Sequence, residues 1–381
     1  MPLPAPTADA LAHSERLVRL ICEEIRAGGG WIGFARYMEL ALYAPGLGYY
    51  VAGARKLGAE GDFVTAPEIS PLYGQTLARQ VKQLLDAGLE NVLEIGAGSG
   101  ALAATLLAEL EQLGAVPANY HILELSPDLR SRSRDTIAAR VPQLMERVAW
   151  LNRLPPAFSG IVIGNEVLDA MPVHVVRAGE RGIEEAGVGE ADGDFGWSWR
   201  AAQGELLAQS RALGLIAPYT TEIALVAQGF VRSLAQVIER GAAVFIDYGF
   251  PRREFYHPQR GEGTLMCHYR HHAHADPFFL PGLQDITAHV DFSAVAQAAT
   301  ESGMNLLGYA TQAQFLINCG ITEVLARVRP EDAARYLPRS GQANRLLAPS
   351  EMGELFKVIA FGKKLDIPLI GFASGERSHT L

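Results

Sequence analysis

Three cysteines in 381 residues, Cys22, Cys267 and Cys319, are too few and too widely spaced for a disulfide framework. Such usage suits a reducing compartment. No apolar run reaches the length that a bilayer crossing needs, so no membrane insertion is expected. The first ten residues carry prolines and lack the charged-then-apolar layout of a secretory leader, which makes the cytoplasm the expected location. An excess of basic charge is also missing. With 33 Lys and Arg against 42 Asp and Glu, the formal net charge is −9, which disfavours a nucleic-acid partner held through phosphates. Internal repeats and low-complexity tracts are absent too. What remains is a mixed, 49% hydrophobic composition typical of a globular chain, longer than one ordinary domain needs. A core fold with an added domain or large insertions follows.

The most telling stretch is Asn91-Val92-Leu93-Glu94-Ile95-Gly96-Ala97-Gly98-Ser99-Gly100-Ala101. An apolar run ends in three alternating glycines, and a helical pattern resumes at Leu102, Leu106 and Leu107. This is a strand, a tight turn and a helix start. Glycines there let the backbone turn and let a ligand approach without meeting a Cβ. The helix N-terminus then offers N–H donors. A second strand, Tyr120 to Leu125, carries Glu124 near its end, where a carboxylate can accept hydrogen bonds from both ribose hydroxyls. The pattern also satisfies the dinucleotide fingerprint. Glu94 and the third glycine fit S-adenosylmethionine (SAM) better, while NAD stays open on the motif alone.

Residues 1–90 read as a mostly helical appendage, with helical spacing over 11–27, 34–42 and 72–87. Residues 91–365 alternate strand and helix, which predicts an α/β fold with a parallel sheet covered on both faces. Strands are expected at 91–95, 120–125, 147–151, 160–164 and 242–248, with short ones at 173–177 and 195–200 and a closing pair at 306–309 and 356–361. The span 178–240 exceeds a simple crossover and predicts an insertion. Within it, Tyr219-Thr220-Thr221-Glu222-Ile223 is expected to open a helix capped by a threonine. Residues 250–290, rich in His, Pro, Gly and aromatics, predict a substrate loop. Residues 366–381 form a tail.

The fourth strand runs into Gly164-Asn165-Glu166-Val167-Leu168-Asp169-Ala170-Met171-Pro172. Ligands of open α/β sheets bind beyond the carboxyl ends of strands. Glu166 and Asp169 there could hold a cationic nucleophile, and a guanidinium suits paired carboxylates. Asp169 could instead cap or pair locally, leaving Asn165 as the residue that matters. The segment 61–71, with Pro67 and Glu68, could cover the cofactor or serve as a structured linker. His268, His271, His272 and His274 crowd one loop, yet without paired Cys-x-x-Cys or ordered ligand spacing they assign no metal site. His289 could orient substrate, act as a base or be structural.

Taken together, several stretches resemble the MidA-like family of SAM-dependent methyltransferases. They are Tyr37 to Tyr43 with Gly46 to Tyr50, Gly61 to Pro71, Leu93 to Gly100, Gly164 to Pro172, Asp247 to Gly249, Gly263 to Leu265, and Gln284 to Phe292. That resemblance implies a Rossmann-like, seven-stranded class I methyltransferase core with SAM as donor. The family includes a mitochondrial protein that assists assembly of respiratory complex I and is regarded as a protein arginine methyltransferase. It therefore implies a protein arginine as the acceptor, with a respiratory-complex subunit as a candidate partner. Glu166 is the first candidate for holding the acceptor, with Asp169 and His289 second. Gly96, Gly98 and Gly100 are expected to line the methionine part of SAM, Glu124 the ribose, and Glu94, Asn165, Pro67 and Glu68 to complete the cofactor site. Two alternatives stand beside this: a SAM-dependent methyltransferase of another protein or small-molecule acceptor, and a SAM-binding assembly factor with little catalysis.

Overall fold

A computed structural model describes residues 3–52, 65–191 and 193–381. They form two compact units, each assembled from three separate stretches of chain. One, here the core unit, comprises Val64–Leu168, Phe230–Gly249 and Phe292–Leu381. The companion unit comprises Met1–Phe63, Asp169–Gly229 and Phe250–Asp291.

Seven strands define the core unit: β1 Asn91–Ile95, β2 Asn119–Leu123, β3 Val148–Leu151, β4 Phe158–Asn165, β5 Ile238–Phe250, β6 Asn305–Thr311 and β7 Phe356–Lys363. They lie side by side in the order β3-β2-β1-β4-β5-β7-β6. The first five are parallel, with Val92 opposite both Tyr120 and Ile161, and Val244 opposite Ile163. β7 runs antiparallel to both neighbours, with Ala360 opposite Val244 and Gly308. This is the expected seven-stranded methyltransferase sheet. A parallel strand covered on both faces reads as an unbroken apolar run, and β1, β4 and β5 are buried along almost their whole length for that reason. Leu77, Leu106, Ile122, Ile163, Val244 and Val358 meet in one core. The order of connection reverses between β1 and β4. Such a switch point opens a crevice beyond the strand ends.

The helix Pro71–Asp86 also belongs here, burying Leu72, Tyr73, Leu77, Val81 and Leu84. The helical run expected ahead of residue 90 thus divides between the units. Residues 366–381 pack on the core unit as well. Phe372 lies edge-on to Phe315, and Arg377 pairs with Glu354 at 2.6 Å.

The companion unit joins the helices Ala8–Ala27 and Phe34–Tyr43 to an antiparallel sheet. Its strands include Ile32–Gly33, Gly182–Ala191, His174–Gly179 and Tyr219–Ile223, with Asp194–Ala201 pairing to Gly182–Ala191. A small sheet follows from Met266–Tyr269, His272–His274 and Asp285–Thr287. Leu17, Ile21, Tyr37, Met38, Val175, Val188, Cys267 and Ile286 share its core. The expected helix start at Tyr219 is corrected here. Tyr219–Ile223 is a strand paired with His174–Gly179, and the helix begins only at Leu225. Its β-branched threonines and isoleucine suit a pleated strand, and Thr221 and Ile223 are buried on it.

Candidate active site

The glycine turn after β1 adopts the backbone that its residues permit. Gly96, Gly98 and Gly100 have φ of 67°, 55° and 84°, in the left-handed region that side chains disfavour. A Cβ on Gly100 would fall 2.7 Å from the Ser133 Cα, so the helix Ala101–Gln112 can begin here only without one. On Gly96 it would come 3.3 Å from Val167, which follows β4. The turn and the β4 end therefore press together.

Glu124 stands directly after β2 and is buried. Its carboxylate accepts from the Gly98 N–H at 3.3 Å and the Ser126 N–H at 2.9 Å. Burial raises its pKa despite those donors. Glu94 lies on β1, one strand over, and is buried. Its carboxylate accepts from the Tyr120 hydroxyl at 2.6 Å, and burial pushes its pKa up to about 7. It braces β1 against β2 at the root of the turn.

The segment 61–71 is described from residue 65 onward; residues 61–64 lie outside the described residues. Pro67 and Glu68 sit in the short helix Ala66–Ile69. The Ser99 hydroxyl, within the glycine turn, donates to the Glu68 carboxylate. This segment thus reaches the turn directly.

At the end of β4 the polar groups converge. Asn165 is the last strand residue, and its Oδ1 accepts from the Tyr73 hydroxyl. Burial holds the Tyr73 pKa well above the usual range, so the hydroxyl keeps its proton. Glu166 has φ 53°, an unusual backbone for a glutamate. The Ile246 carbonyl accepts from its N–H at 2.8 Å. Its carboxylate accepts from the Asn165 amide at 3.0 Å and the Ala66 N–H at 3.4 Å. The loop is pinned by Asp247, a residue the strand pattern placed in β5 without a role. Asp247 is buried, and one of its oxygens accepts from the Val167 and Leu168 N–H groups at 3.1 and 2.9 Å. Gly96, Gly98, Gly100, Glu124, Glu68, Asn165 and Glu166 therefore come together in the core unit.

Asp169 and His289 lie in the companion unit and are neighbours there. The Asp169 carbonyl accepts from the Ala288 N–H at 3.1 Å, and the His289 ring stands edge-on to Phe250. The His289 N–H donates to the Thr264 hydroxyl oxygen at 3.1 Å. Thr264 is fixed in turn by Glu222, a buried carboxylate that accepts from its N–H and hydroxyl and from the Leu265 N–H. A Cβ on Gly263 would fall 2.3 Å from the same carboxylate. Tyr73, Ser99, Asp247, Glu222 and Thr264 thus position the candidate residues, and sequence reasoning gave none of them a role. Only Ser99, Asp247 and Thr264 carried a signal, through the stretches that resemble the family.

The model of a family of S-adenosyl-L-methionine-dependent methyltransferases matches residues 73–310, well over half of the chain. The chain belongs to this family. A zebrafish relative, the mitochondrial protein arginine methyltransferase NDUFAF7, is 30% identical over 86% of this chain and 82% of its own. The Drosophila melanogaster homolog of that protein is 28% identical over 97% of this chain and 92% of its own. Among solved structures, a Burkholderia thailandensis protein bound to S-adenosyl-homocysteine is 53% identical over the full length of both chains, with a TM-score of 0.97.

The donor of this methyltransferase is S-adenosylmethionine, and the local chemistry fits that molecule. A turn with glycine at every second position and a helix N-terminus suit an amino-acid carboxylate, and a buried acceptor at the next strand end suits a sugar diol.

Proposed function

We propose that this methyltransferase transfers its methyl group to an arginine guanidinium of a protein. One observation carries the reading. At the β4 end, Glu166 is held on a left-handed backbone beside the glycine turn, its carboxylate oriented by Asn165 and Ala66. Backbone strain of this kind clusters at functional sites. A carboxylate so placed is a natural partner for the fork of a guanidinium. The names of relatives at 28–30% identity support the same acceptor.

The donor supplies an electrophilic methyl carbon on a sulfonium. Glu94, Gly96, Gly98, Gly100, Glu124, Asn165, Pro67 and Glu68 are the residues assigned to holding it. Glu166 aims one acceptor nitrogen along the line of displacement, where alignment contributes most of the rate. The new N–C bond forms as the C–S bond breaks, the bonding pair stays on sulfur, and the acceptor nitrogen then sheds a proton. Asp169 and His289, both in the companion unit, are candidates for the acceptor side through the stretches that resemble the family. The three thiols are free and buried, which supports action in the cytoplasm.

The test is to incubate the purified chain with isotopically labelled SAM and a cell extract, then locate the label by peptide mass spectrometry. Methylarginine in one or a few proteins is the expected result. Label confined to small molecules or to other side chains would overturn the arginine assignment.

A further inference from the structure

The companion unit carries a groove of about 660 Å³, a volume in the range of ligand sites. Its walls include Phe195, Trp197, Phe278 and Phe279, with Asp276 and His274 as the polar groups. The rings are fixed by one another: Trp197 packs on Phe34 at 4.8 Å and on Phe278 at 5.0 Å. Trp197 nevertheless leaves 40% of its surface in solvent. Asp276 is exposed, and one carboxylate oxygen is fixed by the Phe278 N–H at 2.9 Å. Burial lowers the His274 pKa, so this ring is neutral near pH 7 and does not repel a cation.

A comparison among the four tryptophans shows what the groove lacks. Arg200 lies over Trp31, Arg134 over Trp150 and Arg177 over Trp199, at 4.6, 4.7 and 4.1 Å from the ring centres. Among the described residues no guanidinium covers Trp197. Among the described residues, the indole with no guanidinium over it is the one that shares an open groove with a carboxylate. Aromatic faces attract cations through the ring quadrupole, and a flanking carboxylate adds charge complementarity. The chain's net charge of −9 favours the same partner.

We propose that this groove docks an arginine-bearing segment of the protein acceptor, with a guanidinium on Trp197 and paired to Asp276. The identity of the occupant rests on the arginine reading above; the groove itself is a separate binding site in the companion unit. It holds substrate rather than reacting with it.

The experiment uses the full chain and a fluorescein-labelled peptide of alternating glycine and arginine, read by anisotropy. A twin peptide with citrulline in place of arginine removes the charge and keeps the shape. Wild type is expected to bind the arginine peptide and to bind the citrulline twin at least tenfold more weakly. Trp197→Ala and Asp276→Asn are each expected to weaken binding roughly fivefold, and Trp197→Phe much less. Affinity for S-adenosyl-homocysteine, measured by calorimetry, is expected to stay at the wild-type value and certifies the fold. Should Trp197→Ala lose that affinity, Asp276→Asn and Trp197→Phe decide alone. The groove proposal is overturned by equal binding of the two peptides, by no binding, or by unchanged binding in a folded Asp276→Asn variant. Failure of the arginine reading looks different: the label lands on another acceptor while peptide binding still depends on Trp197. Arginine methylation with wild-type KM in both groove variants would reject the groove and leave the reading intact.

Discussion

Glu166 separates two questions that a single substitution usually confounds, because its carboxylate and its backbone conformation are both exceptional. Glu166→Gln keeps the shape and removes the charge. Losing one partner of a charge-assisted pair costs about 2 kcal/mol or more, so methylation is expected to slow by roughly 30-fold or more. S-adenosyl-homocysteine affinity should change little, and the two measurements together check the role. Glu166→Gly removes the carboxylate and relieves the left-handed backbone. Its stability in urea is expected within about 1 kcal/mol of wild type, while turnover falls as in Glu166→Gln. Gly98→Val does the opposite. A β-branched residue at φ 55° strains the turn, so calorimetry should register no SAM binding. At this scale the sequence was legible where function sits in a local pattern. The left-handed turn at Gly96, Gly98 and Gly100 and the place of Glu124 beside it could be read because their spacing is the signal. Tyr73 and Ser99 could not, since their partners Asn165 and Glu68 lie far along the chain and no local rule links them.

The loop after β4 is held by a residue of the neighbouring strand. Asp247 on β5 fixes the loop after β4 through two backbone N–H groups. Asp247→Ala strands both donors in a buried place and is expected to cost about 2–3 kcal/mol in urea unfolding, while Asp247→Asn, which keeps an acceptor oxygen, should cost less. Within β1, Glu94 predicts a pH dependence. Burial favours its neutral form and lifts its pKa from the ordinary 4.5 to about 7. The stabilising effect of the bound proton is fully present below about 4.5. As pH rises the unfolded chain releases its proton first, and the native state loses ground until about pH 7. Glu94→Gln removes this slope. Relative to wild type it should gain about 3 kcal/mol between pH 4.5 and 8, measured by urea unfolding across that range. The long alternating pattern made these strands visible in the sequence. Tyr219–Ile223 was misjudged because five residues hold too little periodicity to separate a strand from a helix start, and its pairing with His174–Gly179 decides the matter.

Across the whole molecule the three thiols are buried, and burial pushes the Cys267 and Cys319 pKa values up to about 12 and also raises that of Cys22. A thiol reagent should therefore label the native protein slowly and all three cysteines rapidly in urea. The division into two units was the least legible feature. Each is stitched from three stretches, and composition does not change sharply at the seams. This interleaving has a consequence for synthesis. β5 is complete at Phe250, but its antiparallel neighbour β7 begins at Phe356, roughly a hundred residues later. At ribosomal rates of about 5–20 residues per second, one side of β5 waits for roughly 5–20 s. A strand whose stretch from Gly241 to Asp247 is buried in the finished sheet spends that interval without its β7 partner, the kind of edge on which nascent chains associate. Soluble yield is expected to fall when synthesis of residues 251–355 is slowed, read as the soluble fraction against translation rate.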